Sequence, residues 1–164
     1  MEDSKKMIER EVKLGCTIEN HSWTHSFMDK MSAEVIRDEI KKTSDLIEEI
    51  TGDKPQFFRP PFIQVNDTMW DNIDLPFICG QGVEDWVPEV SAEERAKRVL
   101  ESACDGEIIL LHDLLGNDNT VEAMKIFIPK LIEMGAEFMT VREIFKSCGV
   151  DPNQKGKLWS FMYK

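Results

Sequence analysis

The run Glu107-Ile108-Ile109-Leu110-Leu111 constrains the fold more than any other stretch of this chain. It is too short for a helix, and after its first residue it has no polar alternation. Such a run reads as a strand buried on both faces, as in a parallel sheet covered by helices. It also delivers His112 and Asp113 to the strand's C-terminal end. On both sides of it, helical periods alternate with short β-rich runs, the pattern of an α/β architecture built on parallel strands.

The remaining elements follow from local signals. A helix is expected over Ser4 to Lys13, then a strand through Cys16, Thr17 and Ile18. Ser32 is placed to cap a helix whose apolar residues Val35, Ile36, Ile40, Leu46, Ile47 and Ile50 fall near helical spacing, and Gly52 supplies its stop. Phe57 and Phe58 form a short strand ending at Arg59, because Pro60 and Pro61 cannot donate to a ladder. Asn66 or Asp67 opens a short helix, and Pro76 to Cys79 reads as a strand. Ser91 with Glu94 forms a capping-box signature ahead of the next helix. A helix over about Thr120 to Met134 must tolerate Pro129 and ends at Gly135. Glu137 to Met139 makes a last strand, and Thr140 with Glu143 caps a short helix ending before Gly149. The expected organisation is one unit over residues 1–149 with a C-terminal tail over 150–164, where Leu158, Trp159, Phe161 and Met162 either dock or stay loose.

Composition narrows the partners. The chain has 164 residues, 41% of them hydrophobic, enough for one real core. Its 31 acidic and 20 basic residues give a formal net charge of -11, which repels phosphate backbones and anionic membrane surfaces. Neither nucleic acid nor a membrane is expected as a partner. No window approaches the roughly 18 apolar residues of a bilayer span, and the opening residues lack a signal peptide's apolar region. As written, the chain is expected to be soluble and cytoplasmic. The four cysteines, Cys16, Cys79, Cys104 and Cys148, stand singly, without a CxxC spacing, and read as buried free thiols rather than disulfides.

The chemistry-bearing residues gather after predicted strands. His21 and His25 are four apart; on a helical turn they would point the same way and could share one metal ion. On spacing alone they read equally as surface or capping histidines. Arg59 stands at a strand end before a rigid Pro-Pro loop, where a guanidinium orients a carboxylate or an oxyanion, or is an ordinary surface arginine. Asp85 beside Trp86 suits a pocket wall, where the carboxylate would raise the pKa of a nearby imidazolium and keep it available as a general acid. An exposed Asp beside a core Trp is the other reading. His112 follows the apolar strand, and strand C-terminal ends are where α/β barrels collect catalytic groups.

Taken in order, these pieces resemble the polysaccharide deacetylases, the NodB-homology domains of carbohydrate esterase family 4. The resemblance lies in His21-Ser22-Trp23-Thr24-His25, in Arg59-Pro60-Pro61-Phe62, in Asp85-Trp86 and in Leu110-Leu111-His112, across about residues 11–148. It implies an α/β fold of the distorted (β/α) barrel type and a metal-dependent hydrolase that removes N- or O-acetyl groups from an amino-sugar polymer or related carbohydrate. His21 and His25 would ligate a divalent metal, usually zinc, with Ser22 or Thr24 bracing the loop. His112 would protonate the leaving group, tuned by Asp85. Trp86 and Leu110 would line the acetyl pocket, with Pro61 and Phe62 also binding substrate, and Arg59 would hold the catalytic base.

The family's opening motif, T-F-D-D-G, has no match in the twenty residues before His21. One aspartate of that motif is the family's third metal ligand and the other its general base. The expectation is therefore an incomplete barrel lacking its first strand and helix, with an incomplete metal site. Glu19, Asp113 and Asp85 are the carboxylates available to substitute, although Glu19 alternates away from His21 in a continuing strand. An exposed sheet edge would invite homodimerisation. The competing function is an inactive fragment that keeps only a carbohydrate-binding or assembly role.

Overall fold

The computed structural model describes residues 2–162. In chain order the elements are helices α1 (Glu2–Lys13), α2 (Ala33–Thr51) and α3 (Asp67–Asn72), strands β1 (Phe77–Ile78) and β2 (Gln81–Gly82), helix α4 (Ala92–Ser102), strand β3 (Ile109–Leu110), helices α5 (Asp118–Glu133) and α6 (Val141–Cys148), and strand β4 (Leu158–Trp159). Two compact units divide them. The chain up to Cys79 with Thr140–Trp159 forms one; Gly80–Met139 with the chain from Ser160 onward forms the other. Among the described residues, no helix is long and apolar enough to cross a membrane.

In the first unit the helix boundaries obey the local signals. The Ser32 side chain accepts from the Val35 N–H, and Gly52 ends α2 with φ 76°, a left-handed conformation that costs a residue without Cβ little. Asn66 caps α3 through Met69 N–H. Thr140 and Glu143 complete a reciprocal capping box on α6. Extended backbone is sparser than expected. Cys16 to Ile18 forms no ladder, and Asn20 and Phe58 enter only as single parallel bridges, Asn20 to Phe58 and Phe58 to Phe77. From Phe77 the ladder passes to Leu158, in register with Ile78 opposite Trp159. The apolar end of the tail thus docks as a parallel strand. Beneath the ribbon, Met28, Ile36, Phe58, Met69, Ile73 and Phe77 make the core. The ribbon leaves His21 and Arg59 one residue beyond paired positions, at strand C-terminal ends.

In the second unit, β2 pairs in parallel with β3, Gln81 opposite Ile109 and Gly82 opposite Leu110. The ladder takes up only the middle of the apolar run, with Glu107 joined to Phe161 by an antiparallel bridge. Helices α4 and α5 pack Ala92, Ala96, Val99, Ala123, Phe127 and Leu131 against Val83. Pro129 sits inside α5. The strand expected at Glu137 to Met139 does not form; these residues are exposed coil, because β-propensity without a neighbour to pair with yields no strand. The cysteines form no disulfide, as expected, but they are not buried: Cys16 and Cys104 are exposed, and Cys79 and Cys148 half-buried.

Candidate functional site

The imidazole pair of the first unit is built by a loop, not by the helical turn that its spacing suggested. Ser22 and His25 both have positive φ, 66° and 54°, uncommon for residues with a Cβ and sustained only where surroundings over-determine them. Those surroundings are visible. Asn20, 1% exposed, donates from Nδ2 to the Ile40 carbonyl and to Ser44 Oγ at 2.9 Å each, and its Oδ1 accepts the Ser22 N–H at 2.9 Å. Glu39, buried on α2, accepts three donors on one oxygen: Trp23 N–H at 3.0 Å, Thr24 N–H at 2.8 Å and the Thr24 hydroxyl at 3.0 Å. Ser22 Oγ accepts from His25 N–H at 3.0 Å.

The result is two imidazoles with ring centroids 4.8 Å apart. His21 Nδ1 lies 2.6 Å from the Arg59 carbonyl oxygen, which can only accept. The proton therefore sits on Nδ1, the tautomer of a histidine that ligates a metal through Nε2. His25 packs edge-on against Phe62, and Phe62 stacks on Phe27 with centroids 4.1 Å apart.

Arg59 serves this arrangement partly through its backbone. Its N–H donates to the Asn20 carbonyl at 2.9 Å, and its Nε donates to the Cys79 carbonyl at 2.9 Å. Burial lowers the guanidinium's pKa from its ordinary value, with Cys79 opposing, and the group stays charged. Pro61 is buried, so it shapes the loop, whereas Phe62 is about half exposed at φ 55°.

The pair fits a divalent cation as two imidazole ligands. Among the described residues, no cluster of three or more His, Cys, Asp or Glu side chains could complete the set. Glu19 is engaged elsewhere: one oxygen accepts the Gln56 and Phe57 N–H groups and the other accepts Arg142 Nε at 2.8 Å. Asp85 is likewise committed, in the second unit.

There, Asp85 is fully buried and His112 partly exposed, with Asp85 Oδ1 2.8 Å from His112 Nδ1. Asp85 Oδ2 accepts the His112 backbone N–H at 2.6 Å and the Thr120 hydroxyl at 3.1 Å. A carboxylate holding two donors on one oxygen is acceptor-only in its ionised form, so His112 Nδ1 carries the proton. Nε2 is thereby left to hold or release a second one. Trp86 meets the His112 ring edge-on at 5.2 Å and is about half exposed, a wall rather than core; Leu110 is buried on β3. Sequence reasoning missed Thr120, Arg95 and Asn117 behind Asp85. A signal for Arg95 existed: it lies on the same helical face as Ala92, Ala96 and Val99, where a charge on the apolar stripe requires partners.

Comparison with known proteins draws these observations together. A family model described as "Polysaccharide deacetylase" matches residues 1–74. The Xyl-CE4 domain of a multidomain xylanase from the hindgut metagenome of Trinervitermes trinervoides is 43% identical with a TM-score of 0.96, over 98% of this chain and 78% of that one. The chain belongs to the polysaccharide deacetylase family. The expected α/β class of that family is borne out. A family 4 acetyl xylan esterase from Clostridium thermocellum, solved with a cobalt ion, is 38% identical with a TM-score of 0.94, over 100% of this chain and 81% of that one. The bifunctional xylanase/deacetylase of Pseudobutyrivibrio xylanivorans is 47% identical over 158 residues, 96% of this chain. The chain spans about a quarter of that relative's length, 26%.

Proposed function

We propose that this chain removes acetyl groups from an acetylated polysaccharide of the xylan type by metal-assisted hydrolysis. The observation that carries the reading is the pre-set His21–His25 pair, whose loop is held in a strained backbone by Asn20 and Glu39 and whose His21 tautomer is chosen by the Arg59 carbonyl. His21 and His25 would hold a divalent cation, zinc or cobalt. When bound, such a cation polarises an acyl carbonyl and eases deprotonation of water. The xylan preference is supported by three of the relatives, a xylanase/deacetylase, a domain of a xylanase and an acetyl xylan esterase.

The proton work falls to His112. With Nδ1 committed to Asp85, its Nε2 is the one ring atom that can give a proton to a departing alkoxide or amine and take it back. Asp85 orients the ring and stabilises the imidazolium without itself accepting a proton, both of its oxygens being engaged as acceptors. Arg59 supplies fixed positive charge to orient a carboxylate or an oxyanion. Trp86 offers an exposed aromatic wall beside the imidazole. With Trp86, Leu110 is assigned apolar contact with the acetyl methyl; Pro61 and Phe62 are assigned to substrate binding.

A second reading has one observation in its favour: among the described residues, two imidazoles find no third ligand. On that reading the chain binds carbohydrate without hydrolysing it. Elemental analysis and zinc titration of the purified chain, beside a His21→Ala/His25→Ala variant, separate the two when combined with acetate release from acetylated xylan. Stoichiometric metal lost in the variant, together with metal-dependent acetate release, is the expected result. Xylan binding with neither specific metal nor acetate release would leave the second reading standing and the first refuted.

A further inference from the structure

Arg95 is 2% exposed, and a guanidinium buried to that depth is retained only with its donors satisfied. Its Nε donates to the Val90 carbonyl at 2.9 Å and its Nη2 to the Val87 carbonyl at 2.8 Å, which tie down the turn after Trp86. Its Nη1 does something different. It donates to Thr120 Oγ1 at 2.8 Å and to Asn117 Oδ1 at 2.6 Å, and both of these side chains lead to His112.

The polarity of both branches is forced. A guanidinium has no acceptor, so the Thr120 oxygen receives from Arg95 and its single proton goes to Asp85 Oδ2 at 3.1 Å. That oxygen also receives the His112 backbone N–H, which leaves Oδ1 for the ring Nδ1–H. Along the other branch, Asn117 uses its oxygen for Arg95 and donates from Nδ2 to the His112 carbonyl at 2.9 Å. One nitrogen of Arg95 thus reaches the N–H, the ring and the carbonyl of the same histidine.

We propose that Arg95 and Thr120 are positioning residues for His112, fixing through Asp85 the tautomer and orientation that leave Nε2 to exchange the proton. The inference rests on the reading of His112 as the proton-handling group of a deacetylase. Physically, the guanidinium compensates the fully buried Asp85 carboxylate in the part of the cycle when His112 is neutral, and Thr120 carries that compensation across a hydrogen bond. Without it, Asp85 would face a neutral imidazole alone in a medium that penalises an unpaired charge. Asn117 closes the ring around the histidine from the carbonyl side.

The test is Thr120→Val, which keeps the shape and removes the hydroxyl, beside Thr120→Ser, which restores it. Histidine-labelled protein is read by nitrogen-detected NMR of the imidazole, and acetate release is read as kcat and KM separately. The wild type and Thr120→Ser are expected to hold neutral His112 as the Nδ1–H tautomer. Thr120→Val is expected to show a mixture with the Nε2–H form, with kcat down on the order of 10–100-fold and KM little changed. A folded Thr120→Val protein with the wild-type tautomer overturns the proposal, whatever its activity. If Thr120→Val does not fold, Thr120→Cys, a weak donor of similar size, is read by the same criterion. A wild type that releases no acetate while its tautomer depends on Thr120 refutes the deacetylase reading and leaves the positioning intact.

Discussion

Glu39→Ala removes the acceptor on which the loop between His21 and His25 is hung. Glu39 Oε2 takes three donors, and these respond differently to its loss. The Thr24 hydroxyl has an alternative acceptor in Ser26 Oγ at 3.1 Å, so its share is small. The Trp23 and Thr24 N–H groups lose a charge-assisted partner, each at a cost of about 1–1.5 kcal/mol once water reaches the exposed loop. Alanine in mid-helix returns a few tenths of a kcal/mol. The net expectation is a loss of about 2 kcal/mol, or roughly 4–8 °C in Tm for a chain of this size. Glu39→Gln keeps an acceptor oxygen without the charge and is expected to lose about half as much. Urea and thermal melts followed by tryptophan fluorescence measure both, and zinc titration reads the loop directly, with affinity expected to fall with the loss of order. A Glu39→Ala protein as stable as the wild type, with unchanged zinc affinity, would refute the claim that this carboxylate holds the loop.

A pH-dependent contribution comes from Asp53, whose carboxyl is held below its ordinary pKa chiefly by its hydrogen bond to Arg142. Its folded-state pKa is depressed, so the contribution is present above the unfolded value of about 3.9 and fades as pH falls through the folded one. Asp53→Asn should therefore lower the urea midpoint at neutral pH, by an amount that shrinks in high salt, starts to narrow below about pH 4 and closes as pH falls past the folded-state pKa; a gap that stays constant in acid would contradict this account. Gly80 adopts φ +111°, and a Cβ there would lie 2.9 Å from both the Ile108 carbonyl oxygen and Leu110 Cβ. Strain and overpacking together predict a loss of about 3 kcal/mol for Gly80→Ala. Equilibrium unfolding at wild-type stability would show that β3 can move away.

What was legible in the sequence was what neighbouring residues decide among themselves. Ser32 and Gly52 bound α2, Asn66 opens α3 and Thr140 with Glu143 starts α6, because caps satisfy backbone groups within one turn. The motif order likewise placed His21, Arg59, Asp85 and His112 at or beside paired extended segments. Strand extents were less legible, since a strand exists only where another supplies its partners. Of the run 107–111, the β2–β3 ladder takes Ile109 and Leu110, while Glu137 to Met139 pairs with nothing and stays coil.

The sequence by itself determined the helix ends, the α/β alternation and the identity of the imidazoles and carboxylates that could do chemistry. Only the tertiary structure decided their working geometry. His21 and His25 meet through a loop with two positive-φ residues, held by Asn20 and by Glu39 from α2, 15 residues beyond Thr24. Glu19, open as a metal ligand by its chemistry, is consumed by two backbone N–H groups and Arg142. Arg95, with the charge of a surface residue, is buried behind Asp85. Each outcome depends on hydrogen-bond partners distant in sequence, and no local pattern records which donor a folded chain brings to which acceptor.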